Sequence, residues 1–345
     1  MTKKTSYRRI VISRTDSIGD VILTLPLAGK IRERFPDAEI LFLGQGYTRA
    51  VAEACIHIDR FIDWKEIEIL PTNDRISLFR SLEADLILHV FPRREIARLA
   101  KKAGIPERIG TTGRLYHYLT CNRLTRLSRR NSPLHEAQLN LLLAGQLLGN
   151  TIPETAAIPN YYGLSRLHPL PGSFRRLLSP SHINLILHPK SKGSAREWGS
   201  ENFARLANAL SKEKFRIFVT GTAAEGELLR KEGFFETAGE LTDLTGTMEL
   251  NEMIAFIAAA DALIAASTGP LHLAAALGKT ALGIYPPIRP MHPGRWAPLG
   301  HKAAFLVADK ECNDCRKGGK CLCMTGISPE SVKQKLESLP NSNLH

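Results

Sequence analysis

The chain has 345 residues, a formal net charge of +12 and a hydrophobic fraction of 43%, a composition typical of a soluble globular protein. No apolar run approaches the roughly 18 residues that a membrane-spanning helix requires, and the length corresponds to about two domains. The basic N-terminus is followed only by the short apolar run Ile10 to Ile12, so we predict no secretion signal, a cytosolic location and reduced cysteines.

In the first half of the chain, short apolar segments alternate with helical patterns. Strands are predicted at 8–13, 39–43, 60–63 and 85–90, and helices at 20–35, 47–55, 76–82 and 94–103. Pro26 indicates a kink or a late start in the first helix, because proline cannot donate a backbone hydrogen bond. A strongly apolar helix at 135–148 closes this half. Such alternation predicts a parallel, doubly wound sheet.

The alternation restarts after a proline-rich passage at 153–180, which we interpret as the linker region. Strands are predicted at 183–188, 215–220, 262–266 and 280–284, and helices at 201–212, 224–231, 250–259, 270–277 and 328–339. The predicted organisation is therefore an N-terminal domain at 1–160, a linker at 161–180, a second domain at 181–327, and a closing helix and tail at 328–345.

Four loops follow a strand and precede a helix, which is the edge where open parallel sheets bind ligands. In the first loop, 13–20, Gly19 is expected to permit a tight turn before Asp20. Asp20 either caps the next helix or acts as a general base that takes a proton from an acceptor hydroxyl. The residues predicted on the acceptor side are Arg14, Ser17, Gly19, Arg93 and Arg94.

The second loop, 188–198, places Lys190, Lys192 and Arg196 among serines between a strand and a helix. Clustered cations there suit an anion such as a diphosphate, and an exposed basic loop is the alternative. In the third loop, Ser267-Thr268-Gly269-Pro270 leaves the first amides of a helix free, which also favours an anion.

Two further polar residues lie in these helical segments. Glu225, just past the glycine turn of the fourth loop, either contacts ribose hydroxyls or is an ordinary residue of a first helical turn. His272 faces an apolar helix and is more typical of a core histidine than of a catalyst.

Metal-binding signals are limited in this sequence. No two aspartates are spaced as Asp-x-Asp, so the usual metal clamp of sugar transferases has no candidate. A C-x2-C-x5-C-x-C cluster is formed by Cys312, Cys315, Cys321 and Cys323. This cluster either holds a zinc ion or consists of reduced structural thiols.

The charge is concentrated at 93–130, where eleven basic residues are opposed only by Glu95 and Glu107. This basic stretch is either a solvated surface or a docking face for an anionic partner, and its lopsidedness favours the docking face. It lacks the aromatic platform that single-stranded nucleic acid requires, which argues against a nucleic-acid-binding module with a zinc-bound tail.

Taken in order, the motifs resemble the bacterial heptosyltransferases of glycosyltransferase family nine over nearly the whole chain. The resemblance depends on Ser-Ile-Gly-Asp at 17–20, His135-Glu136, His188-Pro189 leading to Arg196-Glu197-Trp198, Leu244-Thr245-Gly246, Ser267 to Gly278, and the cysteine-rich tail before Ile327-Ser328-Pro329-Glu330. The resemblance implies a GT-B architecture, with two facing Rossmann-like domains and the active site in the cleft.

The resemblance also implies inverting, metal-independent transfer of heptose from ADP-heptose to the inner core of lipopolysaccharide, without a cofactor. Asp20 matches the family's proposed base, Arg196 a cation against the donor diphosphate, and Met248 the position packing on adenine. Glu225 matches the ribose contact, and Thr268 and Gly269 match the helix start that holds the phosphates. The donor-side set is Lys192, Arg196, Glu225, Met248, Ser267, Thr268, Gly269, Pro270 and His272.

The expected partners are the nucleotide-sugar donor, an anionic glycolipid acceptor and, through electrostatics, the cytoplasmic leaflet of the inner membrane. No nucleic acid is expected. Many family members carry an aspartate where this chain has Ser267, and the change leaves the donor sugar open. The alternatives are a transferase of the same fold with another nucleotide-sugar, and a catalytically inactive member that only binds a nucleotide.

Overall fold

The computed structural model describes residues 6–129, 132–288, 291–308 and 322–339. It forms two compact units, of which the first ends at Arg166 and the second begins at Leu167. Within the described part of the chain, no helix is long and apolar enough to cross a bilayer.

The first unit contains a six-stranded parallel sheet with strands in the order β3-β2-β1-β4-β5-β6. Its strands are β1 (Arg9–Ser13), β2 (Glu39–Gly44), β3 (Arg60–Asp63), β4 (Leu86–His89), β5 (Glu107–Thr111) and β6 (Arg123–Thr125). Its helices are α1 (Ile18–Ile22), α2 (Leu25–Arg34), α3 (Arg49–Glu53), α4 (Trp64–Glu68), α5 (Thr72–Ser81), α6 (Arg94–Lys102), α7 (His117–Thr120), α8 (Glu136–Leu143) and α9 (Gly145–Leu148), with 3-10 turns at Gly46–Thr48 and Thr155–Tyr161.

The second unit repeats this topology with the strand order β12-β11-β10-β7-β8-β9. Its strands are β7 (Ile183–His188), β8 (Phe215–Val219), β9 (Thr242–Asp243), β10 (Ala262–Ala266), β11 (Thr280–Tyr285) and β12 (Ala303–Val307). Its helices are α10 (Gly172–Arg175), α11 (Ser200–Ala209), α12 (Ala223–Lys231), α13 (Phe234–Thr237), α14 (Leu250–Ala259), α15 (Gly269–Ala276), α16 (Pro293–Trp296), α17 (Leu322–Thr325) and α18 (Pro329–Ser338).

In both units the strands are added outward in opposite directions from two neighbouring central strands, so the strand order reverses between them. Ser13 of β1 lies beside His89 of β4, and His188 of β7 lies beside Ala265 of β10. The loops that follow these strands therefore emerge side by side. Such a switch point, at the carboxyl ends of the strands, is where open α/β sheets bind their ligands.

The central strands are buried on both faces, as parallel sheets covered by helices require. All six residues of β7 are buried, and the helices around it cover a core that includes Trp198 and Phe203. The closing helix α18 adds Val332 and Leu336 to the same core, and the Trp198 indole Nε1 donates to the Ile327 carbonyl over 2.8 Å. The C-terminal helix is therefore part of the second unit's core.

Proline and glycine account for two local features of the first unit. Pro26 lies in the first turn of α2, so the predicted helix at 20–35 is two helices separated at Leu23 and Thr24. A side-chain carbon built on Gly29 of α2 would lie 2.3 Å from the Tyr161 carbonyl oxygen, so only glycine allows the 3-10 turn to pack there.

A second predicted helix is also interrupted in the structure, and several short strands were missed. The apolar helix at 135–148 is interrupted at Ala144, giving α8 and α9. Strands β5, β6, β9 and β12 were not predicted, because they are short or carry exposed and polar residues near the sheet edges.

A buried histidine pair lies at the end of β4. The His89 ring is 5.6 Å from the His117 ring, and both His89 nitrogens lack a hydrogen-bond partner among the described residues. Burial lowers the pKa of His89 to about 3, and the charge of protonated His117 acts in the same direction. His89 is therefore neutral in the folded protein at neutral pH, whereas an unfolded chain protonates it below about pH 6.5.

His89 should make the folded protein sensitive to mild acid. Because the unfolded state binds more protons between about pH 6.5 and 3, the free energy of unfolding should fall by about 2 kcal/mol between pH 7 and 5 from this group alone. Urea unfolding of wild type and His89→Leu at both pH values measures the difference. The control His168→Leu, at an exposed position, should show the same change in unfolding free energy between the two pH values as wild type. If His89→Leu also showed the wild-type change, His89 would not be the group responsible.

Candidate active site

The loop after β1 presents a carboxylate beside the switch point of the first unit. Ser17 is the N-cap residue of α1, and Asp20 lies in the first turn of that helix. The Asp20 carboxylate accepts hydrogen bonds from the Arg14 guanidinium and, over 2.5 Å, from the Ser17 hydroxyl. Its side chain keeps 19% of its surface exposed. Asp20 is therefore not the helix cap, and its carboxylate is oriented by two side chains while still reachable from solvent.

Gly19 has a different role from the tight turn expected from the sequence. It lies inside α1, between Ser17 and Asp20, and its backbone is helical rather than left-handed. The turn after β1 is formed by the residues before Ser17.

Arg14 is the buried centre of an ion network that holds this loop. Its guanidinium pairs with Asp16 at 2.7 Å, with Asp20, and with Glu136 of α8 at 3.2 Å. The side chains of Arg14 and Glu136 are only 3% and 1% exposed. A planar guanidinium suits this position, because its five N–H donors can serve several carboxylates at once.

A second arginine and an asparagine complete the network. The Arg129 Nε donates to Glu136 over 2.9 Å, and its Nη2 donates to the Asn140 side-chain oxygen over 3.0 Å. Arg14 donates to the same oxygen over 3.3 Å, and the Asn140 amide group donates to the Leu23 carbonyl. Glu136 thus balances two guanidinium groups, and Asn140 links them to the end of α1.

Asp16 is a carboxylate of the network whose pKa is raised. Burial raises its pKa to about 6, the Asp20 and Glu136 charges act in the same direction, and Arg14 opposes them. Arg14 is therefore the partner that offsets part of the effect of burial on Asp16.

Arg93 and Arg94 follow β4, on the other side of the switch point. Arg93 forms an exposed ion pair with Glu68 at 3.4 Å, and the Arg94 guanidinium lies 5.8 Å from the Tyr116 ring centre. The structure does not bring either residue into the network around Arg14.

In the second unit, the loop after β10 leads into the start of α15. Thr268 is the N-cap residue of this helix, but its hydroxyl caps no backbone amide, and Pro270 occupies the first turn. The Thr268 Oγ1 is buried without a hydrogen-bond partner in the described part of the chain. A buried hydroxyl beside free helix amides suits an anion, because each of these groups can donate a hydrogen bond to it.

Ser267 precedes this helix start and contacts the neighbouring strand. Burial raises the pKa of the Tyr285 phenol, and a hydrogen bond with the Ser267 side chain opposes the increase. Tyr285 also donates to the Trp296 carbonyl over 2.5 Å. The Ser267 side chain therefore lies near the Tyr285 phenol at the end of β11.

The loop after β7 is shaped by Glu197. Its carboxylate accepts from the Ser191 backbone amide over 3.0 Å and from the Ser191 hydroxyl over 3.1 Å. Lys192 and Gly193 adopt left-handed conformations in the turn that follows, and Lys192 is exposed. Arg196 is half-buried in the same loop.

Lys190 differs from the anion-binding cation expected from the sequence. Its buried ammonium group lies 2.6 and 2.8 Å from the two Glu232 oxygens and 3.4 Å from Glu197. These carboxylates neutralise it, so Lys190 holds the loop to the end of α12. Lys192 and Arg196 remain the loop's candidate donor-binding cations.

Glu225 forms a capping box with Thr222 at the start of α12. Its Oε2 accepts from the Thr222 amide over 2.7 Å, and the Thr222 hydroxyl accepts from the Glu225 amide over 3.3 Å. Its charge also reaches buried His188, whose pKa is lowered by burial, with Glu225 opposing the decrease. The structure thus shows Glu225 as a residue of the first helical turn beside the loop after β7.

The other predicted residues are Met248, His272 and the cysteine cluster. Met248 is half-buried, two residues before α14, and His272 is buried within α15. Cys312, Cys315 and Cys321 lie outside the described residues, whereas Cys323 is buried in the second unit's core. Among the described residues, no group of three or more histidine, cysteine, aspartate or glutamate side chains is arranged to hold a metal ion.

The partners of Arg14 were missed in the sequence. Glu136 and Asn140 are spaced four residues apart in a mostly apolar helix, so they share one helix face. Two polar residues on a buried face need buried partners, and this is the signal that could have identified them. Arg129 was assigned only to the basic stretch.

Comparison with known proteins gives the family. Residues 80–323, more than half of the chain, match the sequence profile of glycosyltransferase family 9 (heptosyltransferase). The chain belongs to glycosyltransferase family 9. This membership confirms the resemblance drawn from the motifs.

Relatives cover nearly the full length of this family 9 chain. A putative glycosyltransferase from Haemophilus influenzae is 27% identical over 326 residues, or 90% of each chain. Lipopolysaccharide heptosyltransferase 2 from Escherichia coli K12 is 23% identical over 359 residues, covering 96% of this chain and 98% of that protein. The structure of E. coli ADP-heptose lps heptosyltransferase II has a TM-score of 0.74 at 21% identity, covering 96% and 98% of the two chains. This likeness confirms the predicted α/β fold with two doubly wound parallel sheets.

Proposed function

We propose that this family 9 member transfers a heptose or a related sugar from an ADP-sugar to the inner core of a lipopolysaccharide acceptor. The observation that carries the proposal is the helix start at Thr268, where a buried hydroxyl without a partner adjoins the free amides of α15. ADP and heptose are proposed because the E. coli protein of similar structure is an ADP-heptose heptosyltransferase.

The donor diphosphate is assigned to the switch point of the second unit. The start of α15 and the loop after β7 emerge side by side there, because β7 and β10 are neighbouring strands. The α15 amides and Thr268 would bind phosphate oxygens, and Arg196 and Lys192 would supply positive charge. Glu225 would contact the ribose with the carboxylate oxygen not used in its capping box, and Met248 would pack on the adenine.

The acceptor hydroxyl is assigned to Asp20 in the first unit. Its carboxylate would take the hydroxyl proton while the acceptor oxygen forms a bond to the anomeric carbon from the face opposite the diphosphate. The bond from that carbon to the diphosphate breaks, and ADP leaves with the electron pair. The configuration at the anomeric carbon therefore inverts through a transition state with oxocarbenium character.

We propose that the leaving diphosphate is stabilised without a divalent metal. The sequence has no Asp-x-Asp pair to hold one. The negative charge that develops on the diphosphate would instead be stabilised by Arg196, Lys192 and the α15 amides, which are oriented before the reaction begins.

A transferase with another nucleotide-sugar is the second candidate. The observation that favours it is Ser267, whose side chain lies near the Tyr285 phenol at a position where many members carry an aspartate facing the donor sugar. A serine at this position offers the sugar no carboxylate.

Calorimetric titration with ADP, UDP and GDP, without added metal, tests the donor assignment. Wild type should bind ADP selectively, and Arg196→Ala should weaken ADP binding by about tenfold to a hundredfold, because a hydrogen bond to a charged group is worth about 1.5–3 kcal/mol. The matched control is Arg216→Ala, at an exposed position of β8. Selective binding of UDP or GDP would favour the second candidate, and unchanged ADP affinity in Arg196→Ala would reject the diphosphate assignment.

We also propose that the protein is cytoplasmic and associates peripherally with the inner membrane, where its acceptor lies. The net charge of +12 supports attraction to an anionic leaflet, and each cation near such a surface contributes about 1 kcal/mol.

A further inference from the structure

The basic stretch at 93–130 is not one continuous face. Three of its arginines are bound within the first unit: Arg108 donates to the Thr120 carbonyl over 2.7 Å, Arg123 pairs with Glu107 at 3.1 Å, and Arg129 pairs with Glu136. The prediction of a single docking face over 93–130 is therefore wrong in extent. The cations available to a partner lie in a smaller part of this stretch.

Four of these cations form a row on α6. Arg94, Arg98, Lys101 and Lys102 are exposed, while Ile96, Ala97, Leu99 and Ala100 are buried. Spacings of four, seven and eight residues place the four cations on one side of a helix. The acidic residue of this helix, Glu95, is paired with Arg75, so it does not neutralise the row.

An exposed apolar segment lies against this row. Leu115 is 86% exposed, Leu119 75% and Tyr118 56%, and all three lie between β5 and β6. The Lys101 Nζ donates to the Leu119 carbonyl over 2.8 Å, and the Arg94 guanidinium lies 5.8 Å from the Tyr116 ring centre. These two contacts join the basic row to the apolar segment, which also carries exposed Arg114. We call residues 94–102 and 113–119 together the basic-apolar patch.

We propose that the basic-apolar patch docks on an anionic lipid bilayer, with Leu115 and Leu119 inserted at the interface between headgroups and acyl chains. The inference rests on the proposed membrane-linked acceptor and deepens it by naming the contact surface. Exposed leucines cost free energy in water, so two of them in one short segment indicate a partner that covers them. Cations beside leucines and a tyrosine are the side chains that interfacial membrane anchors combine.

The charge and the apolar side chains have separable effects. Cations attract an anionic surface from a distance and lose this attraction at high salt. Inserted leucines contribute through burial from water, which salt does not weaken. An acidic protein partner would use the same cations, but it would not require lipid.

Vesicle co-sedimentation of the full chain tests the patch, with phosphatidylglycerol-containing vesicles compared with vesicles of phosphatidylcholine alone. Leu115→Ser/Leu119→Ser should lower partitioning onto the anionic vesicles by about tenfold or more at low and at high salt. Arg98→Gln/Lys102→Gln should lower it by about thirtyfold at low salt, or about 1 kcal/mol for each charge, and by much less at high salt. Ile69→Ser, with 78% exposure on the same unit, is the matched control and should bind like wild type.

Insertion has its own readout. Leu119→Trp should be quenched by brominated lipids in anionic vesicles, whereas Ile69→Trp should not. Wild-type partitioning by Leu115→Ser/Leu119→Ser, equal losses in Ile69→Ser, or stronger binding to polyglutamate than to vesicles would overturn the proposal.

An assay of sugar transfer to a soluble, deacylated acceptor distinguishes failure of this proposal from failure of the proposed function. The Leu115→Ser/Leu119→Ser variant should keep the wild-type rate in that assay. Transfer by wild type without patch-dependent vesicle binding would reject the patch alone. Patch-dependent vesicle binding by a protein that transfers no sugar would support the patch and reject the proposed function.

Discussion

Asp20→Asn is expected to lower the turnover number of sugar transfer by between about a hundredfold and ten-thousandfold, the usual contribution of a positioned general base. The asparagine is nearly isosteric, and its oxygen can still accept a hydrogen bond from Arg14. It cannot take a proton from the acceptor hydroxyl. The rate of ADP release from the ADP-sugar, with saturating acceptor, measures the effect.

The Asp20→Asn result is interpretable only if the fold and donor site are unchanged. The free energy of unfolding in urea and the dissociation constant for ADP from calorimetric titration should be close to those of wild type, because the donor is assigned to residues of the second unit. Ser17→Ala is the matched control, since it removes one hydrogen bond to the same carboxylate without removing the carboxylate. Near-wild-type turnover in Asp20→Asn would show that another group takes the proton.

Glu136→Ala should cost the first unit about 3–5 kcal/mol of unfolding free energy, the usual result of removing one partner from a buried ion pair. The Glu136 carboxylate is almost fully buried between Arg14 and Arg129, so its loss leaves two guanidinium groups with less compensation. Urea unfolding followed by circular dichroism measures the change.

Two variants separate charge from packing at this position. Glu136→Gln keeps the shape and the oxygen acceptor, so it should cost less than Glu136→Ala. Glu66→Ala removes the exposed partner of Arg49 at 3.6 Å, and exposed pairs contribute only about 0–1 kcal/mol. A loss of less than about 1 kcal/mol in Glu136→Ala would show that the network does not stabilise the unit.

The alternating apolar segments were sufficient to predict two doubly wound sheets, because buried central strands such as β1 and β7 leave a strong pattern. The edge strands β6 and β9 have only three and two residues, and neither forms an apolar run. Their pairing is decided by neighbouring strands, which local sequence does not record.

The candidate site shows the same division. The loops after β1, β7 and β10 could be located because glycine, serine and charged residues follow apolar strands. The partners of those residues could not, since Lys190 meets Glu232 and Arg14 meets Glu136 across long separations in sequence. Which cations are free for a ligand is decided by such pairings. For this reason the sequence overestimated the number of cations available to a ligand, both in the loop after β7 and in the basic stretch.

The two units are contiguous in the chain, and each completes its own sheet and core on one side of a single boundary after Arg166. One recombination event near that boundary would exchange an entire half without cutting a sheet or a core. If donor and acceptor are divided between the halves as proposed, a lineage could acquire a new acceptor by such an exchange and keep its nucleotide-sugar. This modularity offers a route to diverse surface glycans through gene shuffling.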